Sequence, residues 1–80
     1  MIKIVFEKEN NRAAAYDNNT QIGECSFIEI GDIWNINHTG VNDSYRGQGI
    51  ARKLVEAIIE NSKIYNKKLS AECSYAKKLI

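Results

Sequence analysis

Eighty residues suffice for one domain with a single two-layer core, and a chain that is 44% hydrophobic and 26% charged, with no proline, is composed like a folded globular protein. Eleven Lys and Arg against ten Asp and Glu leave a net charge of +1, which argues against nucleic-acid or membrane binding driven by overall counterion release. A local basic patch stays open, because the cations gather in the C-terminal half.

The first half reads as short strands joined by tight turns. Ile2, Ile4 and Phe6 alternate with Lys3, Val5 and Glu7, so strand one has an apolar face and ends at Asn10-Asn11, residues that tolerate positive φ. Arg12 to Asp17 is strand two despite its three alanines, since Asn18-Asn19 supplies the next turn. Thr20 to Ile30 is a long strand three, with Ile22, Ser26, Ile28 and Ile30 on one parity and Cys25 and Phe27 on the other. Gly31-Asp32 turns the chain into strand four, Ile33 to Val41, completing a four-stranded antiparallel meander.

After Val41 the apolar period changes from two to about 3.6. Ala51, Leu54, Val55, Ile58 and Ser62 form one stripe, and Arg52, Lys53, Glu56, Glu60 and Lys63 the other. This spacing predicts an amphipathic helix of about five turns from near Gly47 to Tyr65, stopped by Asn66. Leu69 to Cys73 is a short fifth strand, and Tyr75 to Ile80 begins a last helix. Strand four, helix and strand five form a βαβ unit whose right-handed crossover sets strand five parallel to strand four. The fold class is α/β (α+β), in one domain spanning residues 1–80.

Cys25 and Cys73 allow one bridge at most, no charged-then-apolar leader precedes Ile2, and no apolar run nears the roughly 18 residues of a membrane span. These features point to a soluble protein of the reducing cytoplasm. A long third strand near a sheet edge leaves monomer and homodimer both open.

The stretch Tyr45-Arg46-Gly47-Gln48-Gly49-Ile50-Ala51 lies between strand four and the long helix. Two glycines there either make a tight turn or let a ligand approach the backbone closely. A helix N-terminus exposes unpaired N–H groups and partial positive charge, and Arg46 adds a cationic fork, so a phosphate would use all three. The dinucleotide fingerprint fails because Arg52 stands where its third small residue belongs, and the Gly-Lys-Ser/Thr of a P-loop is absent.

Arg46, Gly49 and Ala51 match the coenzyme A signature of the GNAT superfamily of N-acetyltransferases: Arg or Gln, two residues, Gly, one residue, Gly or Ala. With His38-Thr39-Gly40-Val41 before the loop, Arg52-Lys53-Leu54 after it and Cys73-Ser74-Tyr75-Ala76-Lys77-Lys78 near the end, the chain resembles small single-domain members. The resemblance implies a GNAT-like fold with acetyl-coenzyme A (acetyl-CoA) as cosubstrate and no metal. Its pyrophosphate would lie on backbone N–H groups of Gly47, Gln48, Gly49, Ile50 and Ala51, and its pantetheine arm along Thr39, Gly40 and Val41. Arg52, Lys53, Lys77 and Lys78 either reach the 3′-phosphate or form a solvated cationic face.

His38, the single histidine, is a competent base near neutral pH, yet parity sets it beside Trp34 and Ile36, where a histidine is also a packed core residue. Cys73 is a proton donor to the departing thiolate, a transient acetyl acceptor, or a small buried hydrophobe. Tyr75 is a general acid, as in full-size members, or a cap on the core. Cys25 belongs to the core of strand three, and Trp34 either packs or lines the acceptor pocket. The chain lacks the helices that full-size members insert after strand one, so its acceptor groove is undefined or open. The expected activity is acetyl transfer to a primary amine. The alternatives are a non-catalytic acyl-CoA-binding module acting through a protein partner and an interaction domain whose glycine loop is only a turn.

Overall fold

The computed structural model describes all residues from Met1 to Ile80. Five strands form one sheet in sequence order: β1 (Ile2–Glu7), β2 (Arg12–Asp17), β3 (Thr20–Ile30), β4 (Ile33–Val41) and β5 (Lys68–Ala71). The first four pair antiparallel and β5 runs parallel to β4, with α1 (Ile50–Ile64) as the crossover and α2 (Ser74–Lys77) closing the chain. No helix is long and apolar enough to cross a membrane.

Turn chemistry accounts for the meander. Asn11, Asn18 and Gly31 adopt φ of 51°, 55° and 59°, the left-handed region that asparagine and glycine reach most readily. A short 3₁₀ turn over Lys8–Asn10 precedes Asn11, and β1 runs through Glu7, one residue beyond its last apolar position.

α1 packs on one face of the sheet through Ile50, Leu54, Val55, Ile58 and Ser62, all buried. Burying Leu54, Val55 and Ile58 contributes roughly 1.5 to 3 kcal/mol each. Ala13 and Ala15 of β2 lie buried in the same core and offer no bulk, so the helix sits close to the sheet. At one end Trp34 stacks on Phe27 with centroids 4.3 Å apart, and Phe6 stacks on Trp34 at 5.7 Å. Trp34 is fully buried there and is a packing residue rather than a wall of an open pocket.

The helix is shorter at its start than the apolar spacing predicts. Gly47 and Gly49 have φ of 81° and 76°, incompatible with a right-handed helix, so α1 begins at Ile50 and makes about four turns. At the other end Asn66 takes φ of 57° and the Lys67 N–H reaches the Ser62 carbonyl at 2.7 Å, satisfying a terminal carbonyl. β5 also ends early. The N–H groups of Glu72 and Cys73 both converge on the Ile36 carbonyl, at 2.9 and 3.3 Å, so Cys73 leaves the ladder and precedes α2. The last helix runs only from Ser74 to Lys77.

Two β-bulges overturn the simple parities. Between Ala15 and Tyr16 the β2–β3 register shifts, and Ile22 becomes buried while Ile28 and Ile30, its expected companions, are exposed on the opposite face. Between Ser26 and Phe27 the β3–β4 register shifts, so Phe27 pairs Ile36 and Ser26 pairs His38, leaving Asn37 between them. His38 is therefore exposed, whereas Trp34 and Ile36 are fully buried, and the expected sharing of one face ends at the bulge.

The sheet face away from α1 carries a polar network. Arg12 Nε donates to Glu7 Oε1 at 2.8 Å, its Nη1 to Glu24 Oε1 at 3.0 Å, and the Tyr16 hydroxyl to Glu7 Oε2 at 2.5 Å. The Tyr16 hydroxyl, then the Arg12 guanidinium, holds the Glu7 carboxyl below its ordinary range. A lowered folded-state pKa contributes stability above the unfolded value that is lost as pH falls through the folded one. Glu7→Gln should therefore flatten the acid limb: its urea midpoint should change less than that of the unaltered protein between about pH 5 and pH 2.

Candidate functional site

β4 pairs with β5 only from Ile33 to Ile36. From Asn37 to Val41 it has no strand on that side, and the gap opens a cleft of about 530 Å³. β4 lines it with Thr39, Gly40 and Val41; the loop adds Tyr45, Arg46, Gly47 and Gly49; α1 and α2 contribute Ile50, Ala51 and Tyr75. Gln48 and Arg52 are exposed outside this lining, with Arg52 Nε paired to Glu56 at 3.2 Å.

The loop presents its backbone unpaired. The first backbone bond of α1 is Lys53 N–H to the Gly49 carbonyl at 3.2 Å, and Gly49 gives no side-chain cap. The six N–H groups from Gly47 to Arg52 therefore have no acceptor within the chain. Positive φ at Gly47 and Gly49 shapes the loop, and nothing lies within 4 Å of the Cβ that either would carry. Arg46 Nε sits 3.0 Å from Asp43 Oδ1, both side chains largely in water. The donor set, one cationic fork beside a row of free N–H groups, fits a pyrophosphate. No group of three or more His, Cys, Asp or Glu is placed to hold a metal ion.

Tyr45 escapes a sequence reading, although it holds the loop. Its hydroxyl donates to Asp17 Oδ2 at 2.5 Å, tying the entry of the loop to the end of β2. A tyrosine directly before the arginine was the visible signal, but its partner lies 28 residues earlier and emerges only from sheet register.

Cys73 lies beside the cleft through Thr39. Its Sγ donates to Thr39 Oγ1 at 3.6 Å, and the Thr39 hydroxyl donates to Cys25 Sγ at 3.4 Å. Burial alone would raise the Cys73 thiol, but the hydrogen bonds that its thiolate form accepts from the Ala76 N–H, the Thr39 hydroxyl and the Tyr75 N–H outweigh it and hold the thiol below its ordinary value. Cys25, fully buried, is pushed up to about 11 by burial. His38 stands apart from the lining, though its Nε2 would come 3.0 Å from a Cβ on Gly40, so the ring lies against that residue. Lys77 and Lys78 are exposed on and just after α2, and Lys53 is exposed on the first turn of α1.

The family model for GCN5-related N-acetyltransferases matches residues 12–80. The chain belongs to this family. Its class of activity is N-acetyl transfer, and acetyl-CoA is the donor that the family binds. A GCN5-like candidate N-acetyltransferase from Staphylococcus aureus, solved by NMR, is 33% identical with a TM-score of 0.72, over 96% of this chain and 76% of that one. A second candidate acetyltransferase, from meticillin-resistant Staphylococcus aureus, shares the fold at 21% identity and TM-score 0.72, over 99% of this chain and 85% of its own. An aminoglycoside N-acetyltransferase in complex with CoA shares it at 14% identity and TM-score 0.60; this chain covers 51% of it, matching over 85% of its own length. Among curated proteins none matches. The GNAT-like α+β fold expected from the element pattern and the family resemblance is thus the fold of the chain.

The two thiols should separate chemically. In the native protein at neutral pH, iodoacetamide should alkylate Cys73 while Cys25 reacts only after denaturation, as read by peptide mass spectrometry. Equal labelling of both without denaturant would contradict the burial described above.

Proposed function

We propose that this chain binds acetyl-CoA in the cleft between β4 and the Gly47–Ala51 loop and passes the acetyl group to a primary amine. The observation that carries the reading is the row of six unpaired N–H groups at the start of α1. A pyrophosphate supplies acceptors to such groups, and the partial positive charge of the helix end favours its negative charge. Arg46, paired only with exposed Asp43, is free to turn to a phosphate oxygen. The apolar parts of Val41, Tyr45, Ile50 and Tyr75 suit a pantetheine arm, and the cleft volume falls in the range of small-molecule sites. Two free thiols and a thioester cosubstrate fit the reducing cytoplasm.

Transfer forms one C–N bond and breaks one C–S bond; the amine loses a proton and the leaving thiolate gains one. In this reading backbone N–H groups near Val41 steady the carbonyl oxygen, and Cys73 or Tyr75 returns a proton to the thiolate. His38, its ring against Gly40, is the base for an amine approaching over that residue. The lowered Cys73 thiol favours a second route: its thiolate attacks the carbonyl, coenzyme thiolate departs, and the cysteine thioester then yields its acetyl group to the amine.

Acetyl-CoA titrated into the labelled protein should move the amide resonances of Gly47, Gly49 and Ala51 first, and no response at millimolar ligand overturns the reading. Gly49→Ala and Gly31→Ala both place a Cβ at positive φ with open space around it, so each should cost about 1 to 2 kcal/mol of stability. Only Gly49→Ala should weaken coenzyme binding, by about tenfold or more. Intact-mass analysis after incubation distinguishes the routes: an acetyl adduct on Cys73 that disappears when an amine is added supports the relayed one. Binding without transfer to any amine would leave a coenzyme-binding module that acts through a partner.

A further inference from the structure

Three side chains from separate elements meet at the edge of the cleft: Cys25 from β3, Thr39 from β4 and Cys73 from the β5–α2 junction. Thr39 Oγ1 lies 3.4 Å from the Cys25 sulfur and 3.6 Å from the Cys73 sulfur. A hydroxyl has one proton to give. While Cys73 is a thiol it donates to Thr39, and Thr39 gives its own proton to Cys25. A Cys73 thiolate has no proton to donate and needs one donated to it, so the hydroxyl must reverse. Reversal leaves the Thr39 oxygen without its former donor, and the only other side chain bonded to it is Cys25.

We propose that Cys25 is a positioning residue for Cys73: when Cys73 ionises, the Cys25 S–H swings to donate to Thr39 Oγ1, and the Thr39 hydroxyl swings to donate to the Cys73 sulfur. The proton that Cys73 gives up leaves to water, since Cys73 is only partly buried. Cys25 suits this part because it is fully buried and burial pushes its thiol up to about 11, so it is still a donor near neutral pH when Cys73 ionises. Glu24, on β3 next to Cys25, and Cys73 itself add by charge to the upward push on Cys25. From α2 the influences on Cys73 are the N–H groups of Ala76 and Tyr75; from β4 they are the hydroxyl and N–H of Thr39. Other titratable groups near in the chain are His38 beside Thr39, Glu72 beside Cys73 with its carboxylate on Asn35 Nδ2 at 3.0 Å, and Tyr75, Lys77 and Lys78 on or just after α2. None of these is bonded to either sulfur through its side chain.

The proposal rests on the reading of Cys73 as a reacting group of the coenzyme site, but its test uses no coenzyme, so the two fail separately. The rate of Cys73 alkylation by iodoacetamide is followed against pH in the full chain, with the labelled peptide identified by mass. Cys25→Ala should raise the midpoint of the profile by about 0.3 to 1 pH unit, the size of one lost hydrogen bond. Cys25→Ser, which keeps a donor of similar size, should restore it. Thr39→Val should raise the midpoint further, and adding Cys25→Ala to Thr39→Val should change nothing more, because the effect passes through the hydroxyl. An unmoved midpoint in Cys25→Ala overturns the proposal. So does a rise of equal size with Thr39→Val already present, which would mark Cys25 as packing alone.

Discussion

The site depends on β4 losing its β5 partner after Ile36. Parallel strands normally share a ladder along their length, and here the ladder stops because the Glu72 and Cys73 N–H groups both turn onto one carbonyl of β4. On its other edge β4 carries a bulge at Asn37, which bends and twists a strand locally. The two irregularities fall at the same level of the sheet. Together they free five residues of β4 backbone from one side and send β5 off toward α2, which opens the cleft at the carboxyl ends of both strands.

The two faces of the sheet divide the work of holding that gap. On the α1 side the packing is apolar and close, with buried alanines admitting the helix and a Phe6–Trp34–Phe27 stack filling the end away from the cleft. The helix start is thereby fixed relative to β4, and the loop between them is further tied by Tyr45 to Asp17. On the other side the Glu7–Arg12–Glu24–Tyr16 network satisfies polar groups in a partly shielded setting and leaves Ile28 and Ile30 in water. A chain this small has little core to spare, and these cross-strand ties add to it.

Much of the fold was legible because its signals are local. The boundaries of β2, β3 and β4 follow from asparagine and glycine turns, and the change of period after Val41 marks α1. Most of the cleft lining was legible as well, since Thr39 to Val41, and Arg46, Gly47, Gly49, Ile50 and Ala51, fall in two short stretches of sequence whose neighbours in space are also neighbours in sequence. Misreadings fall where one residue of register matters. A bulge inserts one residue and reverses every later parity, so His38 and Ile22 each ended on an unexpected face.

The sequence by itself determined the order of elements, the antiparallel meander and a glycine loop that leaves a helix start bare of side chains, because turn geometry and apolar period act over a few neighbouring residues. Only the tertiary structure decided that β4 parts from β5 at Ile36, that Tyr45 anchors to Asp17 and that Cys25, Thr39 and Cys73 converge. These depend on strand register and bulges, which are set by packing between residues far apart in the chain. No periodicity within one segment carries that information, because a ladder that slips or ends by a single residue leaves the local pattern unchanged.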